Sequence, residues 1–158
     1  MTERTTHHAT FTIERDFPVP APLAFKAWAD PAARACWFVG PKGKWQEISR
    51  AADFRIGGRE QVSGTHEGGV VSAFDCRYLD IVPDQRIVYS YVMHLNDKLI
   101  SVSLATIEFE STGKGTHLIV TEQGVMLDGF SDPGAAGRKH GTEGLMDRLE
   151  AFLRAEAR

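Results

Sequence analysis

The 158-residue chain has only two cysteines. Cys36 and Cys76 stand forty positions apart with no C-x-x-C, which excludes the usual thiol metal sites and redox motifs and leaves two buried, reduced thiols as the expectation. It has no uninterrupted apolar run near the roughly 18 residues that a membrane-spanning helix needs. Its polar opening, Met-Thr-Glu-Arg-Thr-Thr-His-His, lacks the apolar segment of a secretory signal, so a cytoplasmic location is expected. Basic residues are in no excess: 18 Lys and Arg against 21 Asp and Glu give a net charge of -3, which speaks against a polyanionic partner such as nucleic acid. The histidines form neither H-x-x-x-H nor H-E-x-x-H, so no metal is expected. There is no G-x-S-x-G elbow and no G-x-G-x-x-G opening a helix, which gives no sign of an esterase-type serine or of a nucleotide cofactor.

What remains is an ordinary globular composition, 42% hydrophobic and 25% charged, in a length suited to one domain over residues 1–158 with a disordered tail over 1–8. Thr10 to Phe17 alternates Phe11, Ile13 and Phe17 with polar residues, the period of a half-buried strand. Arg15 breaks the apolar parity. Pro22 suits the first turn of a helix, and Asp30-Pro31 reads as the N-cap and first residue of a second one ending near Trp37. Six more strands follow: Gln46 to Ser49 continuing through Ile56, Arg59 to His66, Val70 to Val82, Arg86 to Leu95, Leu99 to Glu110, and Thr116 to Met126. Short turn signals such as Gly57-Gly58, Pro83-Asp84 and Asn96-Asp97 separate them, which makes an antiparallel meander the economical topology. In the Leu99 to Glu110 segment the apolar parity moves from Ile100, Val102 and Leu104 to Ile107 and Phe109, predicting a β-bulge near Ala105 that curls the sheet.

Ser131-Asp132-Pro133 caps a long helix reaching about Ala155. At about 100° per residue, Gly134, Arg138, Gly141, Thr142, Leu145, Leu149 and Phe152 share one face, with Lys139, Glu143, Asp147, Glu150 and Arg154 opposite. The C-terminal half of that face is a normal core stripe, but its N-terminal half fills little volume. Glycine inside a helix costs about 1 kcal/mol relative to alanine, so Gly137, Gly141 and Gly144 suggest either close backbone approach or space left open. A long amphipathic helix thinly packed on a curled sheet predicts a cavity between them, the usual form of a small-molecule site.

The Pro-led helix APLAFKAWADP, then CWF, ADFRIGG, YLDIVPDQRIVYSY, GTHLIVTEQG and the closing GTEGLMDRLEAFL resemble, in that order and over nearly the whole chain, the START/SRPBCC superfamily, in the branch similar to the activator of the ninety-kilodalton heat-shock protein ATPase. The resemblance implies an α+β helix-grip fold: a curved antiparallel sheet of six to seven strands wrapped around a long C-terminal helix, with two short helices after the first strand and a cavity for hydrophobic ligands. Many relatives carry Trp where this chain has Thr142, a change that enlarges the expected cavity.

Within that frame, Glu122 shares its strand parity with Leu118, Val120 and Met126, and Arg138 lies on the helix face opposite. Together they form either an internal ion pair or a polar contact for a ligand, and they are the candidate acid/base residues if the protein is an enzyme. Trp28, Trp37, Phe74, Tyr89, Tyr91, Met93, Met126, Gly141, Thr142 and Leu145 complete the expected ligand-binding set. Three functions are weighed. The first is a binding module for a small hydrophobic or aromatic molecule, the second an enzyme resembling polyketide cyclases or hydrolases, and the third a co-chaperone-like partner of the heat-shock protein. Strand edges left exposed by a meander leave a homodimer open.

Overall fold

The computed structural model describes residues 4–129 and 134–157. Strand β1 (Thr6–Phe17) leads into helices α1 (Ala21–Ala29) and α2 (Pro31–Trp37), then come strands β2 (Trp45–Ala52), β3 (Arg59–His66), β4 (Val71–Val82), β5 (Arg86–Leu95), β6 (Lys98–Thr112) and β7 (Gly115–Leu127), and finally helix α3 (Gly134–Glu156). The sheet order is β1-β7-β6-β5-β4-β3-β2, antiparallel throughout. This is a helix-grip α+β fold, as expected. Strand β1 begins earlier than the sequence implies: His7 and His8, assigned to a tail, pair with Met126 and Val125. The Ser131-Asp132-Pro133 cap lies outside the described residues. No helix among the described residues is long and apolar enough to cross a membrane.

Local chemistry sets the two short helices. Pro20 and Pro22 open α1, where a missing backbone N–H costs nothing. Asp30 closes α1 and caps α2, its Oδ1 accepting from the Ala32 N–H at 3.2 Å. Seven residues are too few for a stable isolated helix, so packing holds α2 in place. Trp37, fully buried, donates from its indole N–H to the Ala27 carbonyl at 2.8 Å and meets Trp28 edge-on with centroids 4.9 Å apart.

Sheet curvature comes from three irregularities. The register shifts between Glu47 and Ser49, between Tyr78 and Asp80, and between Met93 and His94. The first two leave Ile48 and Leu79 as unopposed residues facing solvent, which explains two of the exposed large hydrophobics. The third places the extra residue of β6 at Ile100, whereas pairing through Ala105 is regular on both sides. The bulge expected near Ala105 therefore sits five residues earlier, and Ser101, Ser103, Ala105, Ile107 and Phe109 all face inward. Val102 and Leu104, expected inside, lie on the outer face. Strand β2 also ends at Ala52 rather than running through Ile56, because Gly57, at φ 83°, donates its N–H to the Tyr78 carbonyl and turns the chain.

The core lies between the concave sheet face and the helices. Leu149, Leu153 and Met146 of α3 pack with Ile107, Leu118, Val120 and Ile87 of the sheet. Buried Thr142, Met146, Leu149 and Leu153 centre the packed face roughly 65° from the one expected, taking about 100° per residue. That rotation moves Gly141 to the helix edge, where it is exposed. Arg15, the exception in β1, reaches α3: its guanidinium pairs with Asp147 at 2.7 Å and donates to the Glu143 carbonyl. Of the two cysteines, Cys76 is buried but Cys36 is exposed on α2, against the expectation for it. Burial pushes the Cys76 thiol up to about 12.

On the outer rim of β1 and β7, His117 lies between Asp16 (2.8 Å) and Glu14 (3.0 Å). Hydrogen bonds donated to these two carboxylates, Glu14 first, raise its pKa above 6.5. A group whose pKa is raised on folding contributes stability that is fully present below its unfolded value and lost as pH rises through the folded one. Between pH 6 and pH 8 the melting temperature of the wild type is thus expected to fall relative to that of His117→Gln. Parallel melting curves over that range would refute the assignment.

Candidate ligand cavity

A cavity of about 280 Å³, open to solvent at its mouth, lies between the sheet, α3 and the α2–β2 loop. It falls near the low end of the roughly 300–1,000 Å³ typical of small-molecule sites. All the residues expected to bind ligand line it except Met126, which is buried further along β7 opposite His7 and Ser101. The aromatic wall follows from strand pairing. Tyr89 and Tyr91 of β5 stand opposite Tyr78 and Cys76 of β4, and Met93 stands opposite Phe74, so period-two alternation aligns them on one face. Phe74 and Tyr91 approach to 5.0 Å between centroids, and Phe74 meets Phe38 of the α2–β2 loop at 5.0 Å.

One polar cluster interrupts this wall. Buried Glu122 accepts a short hydrogen bond from the Tyr91 hydroxyl and another from Thr142 Oγ1 at 2.8 Å. Arg138 donates to the same Tyr91 oxygen at 3.0 Å, to Ser103 Oγ at 3.4 Å and to Ser101 Oγ at 2.8 Å. Glu122 and Arg138 thus come together as expected, but not as a direct ion pair: Tyr91 stands between them. Burial, reinforced by the Glu122 charge, raises the Tyr91 pKa and keeps the phenol protonated. Gly124, opposite Ser103, makes room for this arrangement, since a Cβ there would stand 2.6 Å from Ser103 Oγ.

Sequence reasoning missed Ser101 and Ser103, which hold Arg138, although counting back by two from Phe109, Ile107 and Ala105 finds their inward parity. The cavity also has walls that it missed. Trp45, Val62, His66 and Ser72 come from β2, β3 and β4. Ser72 shares the parity of Phe74, Cys76 and Tyr78, and its hydroxyl lies 2.7 Å from His66 Nε2. The Trp45 indole packs against Gly40 and Gly64, where any Cβ would collide with it. Met146 enters because α3 is rotated from its expected setting, while Arg148 lines the cavity from the same side of the helix as Gly141.

A curved sheet gripping a long helix around an aromatic-walled cavity defines a helix-grip, ligand-cavity type of protein. The sequence matches, over residues 18–154, the family described as Activator of Hsp90 ATPase homolog 1-like protein, and the chain belongs to that family. An uncharacterized protein from Rhizobium leguminosarum is similar in structure at a TM-score of 0.90 and 44% identity, over 98% of this chain and 99% of that one. The Mll3558 protein from Rhizobium loti is similar at 0.85 and 41%, over 94% and 99%. An AHSA1-like protein from Aeromonas hydrophila shares the fold at 0.69 and 20%, over 94% of each chain. No curated protein matches the sequence.

Proposed function

We propose that the chain binds a small apolar or aromatic molecule in this cavity and orients it through the Glu122–Tyr91–Arg138 cluster. The observation that carries this reading is the combination of a largely aromatic enclosure with one hydrogen-bonded polar cluster, the pattern by which small-molecule sites combine affinity with orientation. All three tryptophans of the sequence, Trp28, Trp37 and Trp45, line the cavity, so intrinsic fluorescence reports its occupancy. Titration with 1-naphthol is expected to quench that fluorescence saturably. Leu145→Phe, which adds bulk to the lining, is expected to weaken binding by about tenfold, equivalent to about 1.4 kcal/mol. Quenching that rises linearly to millimolar naphthol, unchanged by the variant, would set the reading aside.

A second reading, acid/base catalysis of the cyclase or hydrolase kind, is favoured by the position of the Tyr91 hydroxyl between a carboxylate and a guanidinium. In that reading Glu122 is the base: it takes the Tyr91 hydroxyl proton as Tyr91 takes one from the ligand, and Arg138 steadies the phenol oxygen during this relay. Its test is a change in the mass of any molecule that copurifies with the wild type and not with Glu122→Gln.

A further inference from the structure

The described charges lining the cavity do not balance: Arg138 and Arg148 face it with Glu122 as the single carboxylate. The Glu122 side is neutral as a unit, because Tyr91 joins its carboxylate to the Arg138 guanidinium and the hydroxyls of Ser101, Ser103 and Thr142 satisfy the rest. An anion placed there would meet the Glu122 charge. Arg148 differs. It lies ten residues along α3 from Arg138, about 15 Å at 1.5 Å per residue, and its Nε is buried with no hydrogen-bond partner.

No carboxylate among the described residues lies within ion-pair distance of the Arg148 guanidinium. Its chain neighbour Asp147 faces the other way and is held by Arg15 of β1 at 2.7 Å. Burial, opposed by the charge of Asp147, lowers the Arg148 pKa, the signature of a cation short of compensation. The terminal nitrogens of Arg148 lie back along the helix over Gly144, the nearer 3.5 Å from where a Cβ would stand, and the cavity wall also holds the hydrogen-bonded pair of His66 and Ser72. A half-buried guanidinium lining an apolar space with its buried Nε unpartnered is matched best by an acceptor that carries charge.

We infer that the cavity is built for a monoanionic organic acid, a carboxylate on an apolar body, whose charged end pairs with Arg148 while the body fills the aromatic space. This rests on the cavity-binding reading and specifies its ligand class. The test compares 4-phenylbutyrate with 4-phenyl-1-butanol, matched in body and differing in charge, by isothermal titration calorimetry on the full chain. The wild type is expected to bind the acid at least about tenfold more tightly than the alcohol, the size of one charge-assisted contact. Arg148→Met should bind the two equally, and Arg148→Lys should keep part of the preference. Equal binding of acid and alcohol by the wild type, or a preference that survives in Arg148→Met, overturns the assignment while leaving a cavity that binds neutral ligands. Failure of both compounds to bind overturns the cavity reading itself. Because the wild-type comparison needs no variant, misfolding of Arg148→Met would not shield the inference.

Discussion

Glu60→Leu is expected to destabilise the protein by about 3–5 kcal/mol, the cost of leaving a buried charge without its partner. Glu60 is 1% exposed and Arg34, on α2, is 2% exposed. The Arg34 Nε donates to both carboxylate oxygens at 2.8 Å, and the Tyr78 hydroxyl adds a third hydrogen bond at 3.4 Å. The guanidinium lies 3.9 Å from the centroid of the Phe38 ring and 5.2 Å from those of Trp28 and Trp37, while its two terminal nitrogens have no hydrogen-bond partner. Burial, the largest single influence, lowers the Arg34 pKa, but the Glu60 charge together with Tyr78, Tyr89 and the Glu60 hydrogen bond raises it overall, so keeping Arg34 charged without Glu60 is costly. The double variant Arg34→Met/Glu60→Leu removes both charges and is expected to recover most of the loss, since buried pairs replaced by apolar groups of similar volume are often neutral. Urea unfolding of the wild type, the single variant and the double variant reads both numbers. A single-variant loss below about 1 kcal/mol would show that the pair is not desolvated in solution.

Trp37→Ala carries the second large effect, again about 3–5 kcal/mol, set by the void left by a large buried aromatic. Trp37 joins three parts of the molecule: its indole N–H closes onto Ala27 of α1, its ring packs edge-on against Trp28 and Phe38, and its face meets Arg34. Because it also lines the cavity, the same change should enlarge the ligand space and alter 1-naphthol binding. The Trp37 and Glu60 effects share Arg34, so they should not add. A coupling of about 0.5–3 kcal/mol between Trp37→Ala and Glu60→Leu is the expected departure, and strict additivity would contradict the Arg34 stacking. A Trp37→Ala loss under 1 kcal/mol would mean that α2 can collapse into the space, which its contacts with Trp28 and Phe38 oppose.

The sequence carried the elements and their order because those depend on local chemistry. Proline and Asp30 mark the starts of the short helices, and short turns separate strands whose period-two pattern is plain. About half of the cavity lining was legible, partly for the same reason: Tyr89, Tyr91, Phe74 and Glu122 lie on strand parities that a single strand already displays. The errors arose where hydrophobicity and position disagree. Ser101 and Ser103 face inward because Arg138 supplies hydrogen bonds there, while Val102 and Leu104 are left outside, so polarity alone misassigned the parity and displaced the bulge from Ile100 to Ala105.

By itself, then, the chain determined a first strand, two Pro-led helices, a six-strand meander, a long closing helix and a thinly filled contact beneath it, while the pairing of β1 with β7 came from the tertiary structure. The tertiary structure alone decided the rotation of α3, the insertion of Tyr91 between Glu122 and Arg138, the burial of Arg34 with Glu60, and the placing of Arg148 in the cavity wall. Each of these depends on the angle and distance between elements far apart in sequence. Local periodicity fixes which face a residue occupies to within tens of degrees, but hydrogen bonds and ion pairs form or fail over fractions of an ångström.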